Sequence, residues 1–226
     1  MKAPVIEKRF HDANPVAHLN RDVLRQAGVL GVSVLGGPGC GKTSLIAATI
    51  AHLLPDLRAG VIACDVGSHR DADRFSCDTA QVVQVNTGEG GVVDATHIRD
   101  ALRWLDLKAI DLLFIENVGT LTLSSVPDLG QEATATVFSV AAGDDKADNH
   151  PDLVRAAVVI VLYKTVLLPS VRFELDAFQA DVKRLKSSIP LFELSALKRD
   201  SLDQWAQWLM SRATRENWNG PLCFEQ

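Results

Sequence analysis

Short apolar runs alternate along the chain with segments whose apolar residues repeat at helical spacing. The apolar runs are typical of strands that are covered on both faces, and they lie at 29–35, 60–64, 82–85, 110–115, 136–141, 158–162 and 191–194. Helical patterns lie at 42–54, 94–106 and 174–186, and a last one carries Leu202, Trp205 and Leu209. Strands that alternate with crossover helices predict a doubly wound, mostly parallel α/β sheet with helices on both faces.

The alternation predicts one domain at 29–212. Residues 1–28 are predicted to form a helical segment packed on this domain, and 213–226 a C-terminal tail without periodicity. No internal repeat and no linker rich in Pro, Gly or Ser divides the chain. A length of 226 residues alone fits one large α/β domain as well as two small ones, since domains average roughly 150 residues with wide scatter.

Composition excludes several classes of partner and of site. With 47% hydrophobic and 23% charged residues and a net charge of −5, the chain has the balance of a globular protein and no basic excess for nucleic acid or anionic membrane. Its longest apolar stretch, 156–163, is far short of the ~20 residues that span a bilayer. The first residues lack the apolar core of a signal peptide, so we expect a cytoplasmic protein. The four cysteines are scattered and predict neither a disulfide framework nor a zinc ribbon.

The turn after the first strand carries a phosphate-binding motif. Residues 36–43, GGPGCGKT, match G-x-x-x-x-G-K-[ST] between a predicted strand and a predicted helix. Glycines let backbone N–H groups surround phosphate oxygens, Lys42 would reach the β- and γ-phosphates, and the Thr43 hydroxyl would ligate Mg²⁺. The motif predicts a P-loop NTPase sheet, with nucleotide contacts from Gly37, Gly39, Cys40, Gly41, Lys42, Thr43 and Ser44.

Two acidic residues end neighbouring predicted strands. Asp65 follows the strand at 60–64, and Glu116 follows the strand at 110–115. Ligands bind at the carboxyl ends of strands in open α/β sheets, so we expect both carboxylates to serve the Mg²⁺ ion or the attacking water. Gly119, three residues after Glu116, would let a loop close on the γ-phosphate. With Lys42, these three residues form the predicted catalytic set.

Five ordered motifs resemble those of the HypB family of hydrogenase nickel-incorporation GTPases and, more distantly, the UreG proteins of urease maturation. They are GGPGCGKTS at 36–44, DVGSHRDADR at 65–74, QVNTG at 84–88 followed by Asp94-Ala95, FIENVG at 114–119, and FSV at 138–140 followed by GDDK at 143–146. The resemblance runs from about residue 30 to 210. It implies a dimerising GTPase whose nucleotide cycle gates nickel delivery to a [NiFe]-hydrogenase precursor.

The chain departs from this family at the nickel positions. The family's nickel site uses a Cys-His pair just after N-T-G and a Cys after F-I-E-N-V-G. Here these positions carry Gly91, Val92 and Leu123, whose side chains cannot ligate a metal. We therefore expect no nickel at the family site.

The base-reading motif is also altered. Where the family has N-K-x-D, this chain has Tyr163, Lys164, Thr165 and Val166, so the carboxylate that would accept from guanine is replaced by an apolar side chain. Lys164 remains to stack on a base, the Tyr163 ring is expected to be able to stack on either base, and Ser195-Ala196 match the family's last base loop. We therefore expect binding of GTP or ATP with Mg²⁺.

Two smaller features admit two interpretations each. His69, Asp71, Asp73 and Cys77 lie close in sequence and form either an unrelated metal site or, as we favour, a solvated switch segment. Cys40 is either a reactive thiol activated by the helix N-terminus or, as we favour, a small residue in place of the usual Ser.

The sequence as a whole favours a HypB-like nucleoside triphosphatase that assists metalloenzyme assembly as a switch. The expected partners are a nucleoside triphosphate and either a second copy, in a nucleotide-dependent homodimer, or another maturation protein. Nucleic acid and membrane are not expected. The alternative is a pseudo-GTPase that retains the fold and acts as a binding partner or regulator.

Overall fold

The computed structural model describes residues 14–53, 56–65, 80–87, 93–118 and 126–213. Within these residues the strands form one sheet in the order β3-β2-β4-β1-β5-β6-β7, and all neighbouring strands are parallel. The strands are β1 Leu30–Leu35, β2 Ala59–Asp65, β3 Ala80–Asn86, β4 Leu112–Glu116, β5 Ala133–Ser139, β6 Val159–Tyr163 and β7 Leu191–Leu194. The predicted doubly wound parallel sheet is confirmed.

Helices cover both faces of this sheet. In the described part of the chain they are α1 Pro15–Ala27, α2 Lys42–Leu53, α3 Ala95–Leu102, α4 Lys146–Asn149, α5 Pro151–Ala156, α6 Leu175–Leu185 and α7 Asp203–Ala213. No helix among the described residues is long and apolar enough to span a membrane.

Alternate residues of each strand pack on opposite faces. In β4, Phe114 packs in the cluster formed with α2 and α7, whereas Leu113 and Ile115 pack in the cluster formed with α1 and α3. A third cluster places α5 and α6 against β5 and β6, on residues such as Phe138 and Ile160. The central strands β1, β4, β5 and β6 are therefore buried on both faces, which explains their continuous apolar runs. The edge strands β3 and β7 are only partly buried.

Strand β5 begins three residues before the start of the strand predicted at 136–141 and ends two residues before its end. β5 begins at Ala133 because two threonines are buried in it, and the Thr136 hydroxyl donates to the Leu153 carbonyl at 2.9 Å. It ends at Ser139, whose hydroxyl accepts the N–H of Ala141 at 3.3 Å and starts a 3₁₀ turn. A pattern of apolar residues alone does not reveal the buried threonines at the start of β5 or the Ser139 hydrogen bond that ends it.

Two helix predictions also needed correction. The helix predicted at 94–106 ends at Leu102, since residues 103–105 form a turn and Asp106 caps a separate 3₁₀ helix. Helices α4 and α5 are not predicted by the sequence pattern, because segments of four and six residues are too short to show a helical period.

Helix α1 is fastened to the domain by a buried asparagine. Asn20 is fully buried, and its Nδ2 donates to the carbonyls of Ala95 at 2.8 Å and Leu129 at 3.0 Å. Gly130 permits this approach, because a Cβ added there would lie 2.5 Å from the Asn20 Cβ. Exposed ion pairs such as Arg21–Asp128, at 2.7 Å, lie beside the buried contact. Asn20 therefore joins α1 to the start of α3 and to the segment that leads into β5.

We expect Asn20→Ala to lower the free energy of unfolding by about 2–3 kcal/mol, because two buried carbonyls lose their donor. Urea denaturation followed by circular dichroism measures this change. Arg21→Ala, on the same helix, is the control and should cost less than about 1 kcal/mol, since exposed ion pairs contribute little. Equal losses for the two variants would contradict the role assigned to Asn20.

Candidate functional site

The predicted nucleotide contacts meet at one edge of the sheet. The P-loop follows the carboxyl end of β1, Glu116 ends β4, Lys164 follows β6 and Ser195 follows β7. Parallel strands bring these ends to the same side. The structure therefore places the phosphate-loop residues, Glu116 and the base-loop residues around one surface.

The P-loop follows a tight path that requires glycine at two of its positions. Gly36 has φ +149°, and a Cβ added there would lie 2.5 Å from the carbonyl oxygen of Val137. Gly41 has φ +104°, and a Cβ there would lie 2.6 Å from Cδ1 of Tyr163. Both the backbone conformation and the lack of space exclude a side chain. The loop is thus packed against β5 and β6.

The side chain of Lys42 is buried within the P-loop. Its side chain is 7% exposed, and Nζ donates to the carbonyls of Gly36 at 3.0 Å and Gly37 at 3.3 Å. Carbonyl oxygens satisfy the ammonium without neutralising it, so a net positive charge remains within the loop. A phosphate anion is the ligand that this charge attracts most strongly. The Gly37 carbonyl also accepts the N–H of Cys40 at 3.3 Å, which closes the loop as a turn.

Thr43 and Glu116 meet directly beside Lys42. The Thr43 hydroxyl donates to Oε1 of Glu116 at 2.6 Å, and Glu116 is 6% exposed. Hydroxyl and carboxylate oxygens are the hard donors that Mg²⁺ prefers, so this pair fits the ion implied by the motif. Asn117 holds the end of β4 in place, because its Nδ2 donates to the Ser33 hydroxyl at 3.0 Å and its N–H to the Val34 carbonyl at 3.1 Å.

The remaining residues predicted for the phosphate site are Ser44, Asp65 and Gly119. Ser44 is exposed in the first turn of α2. Asp65 is the last residue of β2, the strand next to β4, and its side chain lies outside what the structure describes. Gly119 also lies outside the described residues. The roles given to Asp65 and Gly119 stay predictions.

Cys40 is a buried part of the loop. It is 5% exposed, and burial raises the pKa of its thiol even though Lys42 acts in the opposite direction. Burial, with a smaller contribution from Glu116, raises the pKa of Cys64 to about 12. Both thiols are therefore protonated at neutral pH, which supports the interpretation of Cys40 as a small packing residue.

The residues predicted to contact the base lie on two neighbouring loops. Lys164 adopts φ 64° and ψ 33°, and its Nζ donates to the Gly39 carbonyl at 2.7 Å. Ser195 is paired with Ser201, whose hydroxyl accepts the N–H of Ser195 at 3.0 Å. Since Tyr163 and Leu194 are paired in the sheet, Lys164 and Ser195 leave it side by side. Val166 lies in the 3₁₀ helix Thr165–Ser170, and Ala196 is exposed beside Ser195.

The expectation that the Tyr163 ring could stack on a base is wrong. Tyr163 is 2% exposed, and its ring lies under the P-loop against Gly41. Burial raises the pKa of its hydroxyl, and the backbone N–H of Ala196 acts in the opposite direction. Tyr163 is thus a contact of the loop that sequence reasoning missed. The signal was present, because Tyr163 continues the buried apolar run at 158–162.

The positions considered for other metals lie outside the described residues. These are the nickel positions Gly91, Val92 and Leu123, and the alternative set His69, Asp71, Asp73 and Cys77. Within the described ranges, no group of three or more His, Cys, Asp or Glu side chains is placed to hold a metal ion.

Comparisons with known proteins agree with this geometry. Residues 31–193 match the family model "CobW/HypB/UreG, nucleotide-binding domain". The hydrogenase maturation factor HypB of Escherichia coli (strain K12) is 34% identical over 196 residues, which are 87% of this chain and 68% of that protein.

Two solved structures have the same fold. The hydrogenase maturation factor HypB from Archaeoglobus fulgidus aligns with a TM-score of 0.82 and 30% identity, over 88% of this chain and 98% of that one. HypB from Helicobacter pylori, solved in complex with nickel, aligns with a TM-score of 0.85 and 27% identity, over 93% of this chain and 99% of that one. The chain therefore belongs to the CobW/HypB/UreG family of nucleotide-binding proteins and is a P-loop nucleoside triphosphatase.

Proposed function

We propose that this chain is a HypB-like nucleotide-dependent switch that assists the maturation of a metalloenzyme of the [NiFe]-hydrogenase class. The observation that carries the proposal is the 2.6 Å contact between the Thr43 hydroxyl and the Glu116 carboxylate, next to the buried ammonium of Lys42. This arrangement supplies a cation for phosphate and an oxygen pair for Mg²⁺ in one place. The relatives named hydrogenase maturation factors support the assignment to metalloenzyme assembly.

In hydrolysis, the chain's own groups act mainly by position and charge. Lys42 exchanges its two carbonyl contacts for phosphate oxygens and stabilises the charge that develops on the transferring phosphoryl group. Glu116 orients the Thr43 hydroxyl, and Glu116 or Asp65 orients the attacking water. The chemistry that Mg²⁺ supplies when bound is neutralisation of charge on the β- and γ-phosphate oxygens.

Base selectivity is the first respect in which we propose that this chain differs from its family. A carboxylate at position 166 would accept from guanine and would be left unpaired by adenine, which costs several kcal/mol. Val166 provides neither the attraction nor the penalty. The contacts that remain, Lys164 and the backbone at Ser195 and Ala196, do not distinguish the two bases.

Nickel handling is the second difference. Gly91, Val92 and Leu123 provide no donor atom at the family's nickel positions. We infer that the chain takes part in assembly through contact with another maturation protein or the precursor enzyme, or as a nucleotide-dependent homodimer, without carrying the metal at that site.

The second candidate function is a pseudo-GTPase that binds and regulates another maturation factor. Val166 at the base-reading position, and Gly91, Val92 and Leu123 at the nickel positions, favour it, because the side chains with which the family reads guanine and binds nickel are both replaced. The Thr43–Glu116 pair favours turnover, and direct measurement of hydrolysis separates the two functions.

Lys42→Ala should weaken the binding of MgGTP and MgATP by about 3 kcal/mol, because a charge-assisted contact to the phosphates is lost. Isothermal titration calorimetry measures both affinities. Lys108→Ala is the control, since Lys108 lies in the 3₁₀ helix Leu107–Ala109 that precedes β4, at the opposite edge of the sheet. Equal affinity of Lys42→Ala and the unchanged protein would refute phosphate binding at this loop.

Single-turnover assays with radiolabelled GTP and ATP should show phosphate release from both nucleotides. Competition between the two at fixed Mg²⁺ should give affinities within about tenfold, a difference of ~1.4 kcal/mol. Both results follow from an intact phosphate site that is combined with an apolar residue at position 166.

Val166→Asp is the matched variant, and it should shift the competition toward GTP by restoring the guanine acceptor. Binding without release of phosphate from either nucleotide would favour the pseudo-GTPase. A preference of the unchanged protein for GTP by a thousandfold or more would show that another acid reads the base.

Equilibrium dialysis with Ni²⁺ should detect no tight nickel site of the family type. Residual weak binding should fall when His69 and Cys77 are both replaced by Ala, because these residues supply the imidazole and the thiol of the alternative metal set at 69–77. One tightly bound Ni²⁺ per dimer that persists in the double variant would refute the proposed loss of the nickel site.

A further inference from the structure

Tyr163 lies where three nucleotide-binding segments meet. It is the last residue of β6, it directly precedes Lys164, and its ring touches the P-loop at Gly41. Its hydroxyl is buried without a hydrogen bond of good geometry among the described residues, and the N–H of Ala196 faces it. One side chain therefore contacts both the phosphate side and the base side of the site.

The ring fills the space that Gly41 leaves open. A Cβ added at Gly41 would lie 2.6 Å from Cδ1 and 2.7 Å from Cε1 of Tyr163. The ring edge is thus in direct contact with the backbone of the residue before Lys42. The loop cannot move toward β6 without displacing the ring.

The ring itself has a rigid support. The backbone of Tyr163 is paired with Ser139 on one side and Leu194 on the other, both in parallel register. Its side chain belongs to the buried cluster that includes Leu45 of α2 and Trp205 of α7. A group held by sheet pairing and core packing is suited to fix the position of a loop that rests on it.

A second contact fastens the same loop from the neighbouring residue. The αL turn at Lys164 directs its Nζ onto the Gly39 carbonyl at 2.7 Å. Tyr163 and Lys164 thus reach the loop at Gly41 and Gly39, on either side of Cys40. The end of β6 supports the loop by ring packing at one point and by a hydrogen bond at the other.

We propose that Tyr163 is a positioning residue that holds the P-loop in its phosphate-binding shape through ring contact with Gly41. The inference rests on the proposed binding of a triphosphate at this loop. Tyr163 does not touch the nucleotide, because its side chain is 2% exposed beneath the loop. Its effect is therefore the same for every ligand that carries the triphosphate group, whatever the base.

The test compares Tyr163→Ala and Tyr163→Phe with the unchanged chain, with Mg²⁺-tripolyphosphate, MgGTP and MgATP as ligands. Tyr163→Ala should weaken all three by at least about tenfold, since small displacements of a positioned loop are costly. Tyr163→Phe keeps the ring and should stay within about threefold of the unchanged chain. In hydrolysis assays, the loss in Tyr163→Ala should fall mainly on KM.

Phe178→Ala is the matched control for loss of a buried ring. Phe178 is fully buried in α6, in the cluster that contains Phe138 and packs on the face of β5 and β6 opposite to Tyr163. Thermal unfolding should show both alanine variants destabilised, but Phe178→Ala should keep its affinity for the three ligands. If Tyr163→Ala does not fold, Tyr163→Leu takes its place with the same expected order of affinities.

Three outcomes would overturn the proposal. If tripolyphosphate binding were unchanged in Tyr163→Ala while GTP and ATP binding fell, the ring would act on the base. If Phe178→Ala lost affinity equally, the effect would be one of stability alone. If Tyr163→Phe lost as much as Tyr163→Ala, the hydroxyl would carry the role. Failure of the unchanged chain to bind any of the three ligands would refute the proposed function instead.

Discussion

The buried ammonium of Lys42 is the constraint on which the site depends. A charge taken out of water is costly unless polar groups surround it, and here the carbonyls of Gly36 and Gly37 do so at 3.0 and 3.3 Å. Two carbonyls of the same loop can reach one ammonium only if the backbone curls around it. That curl is the reason for the positive φ angles at Gly36 and Gly41 and for the close packing against β5 and β6.

The second partner of the loop is the end of β4. Glu116 reaches the Thr43 hydroxyl from a strand that pairs with β1, and Asn117 closes the strand end against Ser33 and Val34. The position of the Glu116 carboxylate is thus fixed by sheet pairing, and the position of the Thr43 hydroxyl is fixed by the first turn of α2. The Mg²⁺ site that we propose for this pair requires two oxygens at a defined separation, and rigid elements on both sides supply it.

The sheet, the phosphate loop and Glu116 could be predicted from the sequence because each is marked by residues that are close together in the chain. Continuous apolar runs mark the strands, and the glycine spacing with Lys42 marks the loop. The role of Asn20 could not be predicted, because its partners Ala95 and Leu129 are 75 and 109 residues away. The apolar run at 158–162 did indicate that Tyr163 is buried, but not what its ring contacts, since the contact with Gly41 forms only when β6 and the P-loop meet in the folded sheet. Contacts between residues far apart in the chain depend on the topology of the sheet and do not appear in the spacing of apolar residues.

In the binding scheme that we propose, the residues that match the family contact the phosphates of the nucleotide, and the altered residue, Val166, lies at the base. The phosphate half rests on charge-assisted contacts from Lys42, which are roughly twice as strong as neutral hydrogen bonds. In the base half, a carboxylate at position 166 would discriminate mainly by the penalty for leaving it unpaired against the wrong base. Replacing it with Val166 removes that penalty and leaves the phosphate contacts intact. A chain can therefore lose base discrimination without losing its phosphate chemistry, provided that the loop keeps its shape. In this chain the loop is contacted from the end of β6 by the Tyr163 ring at Gly41 and by the Lys164 ammonium at Gly39. Neither contact depends on which base is bound, so we infer that both persist when base discrimination is lost.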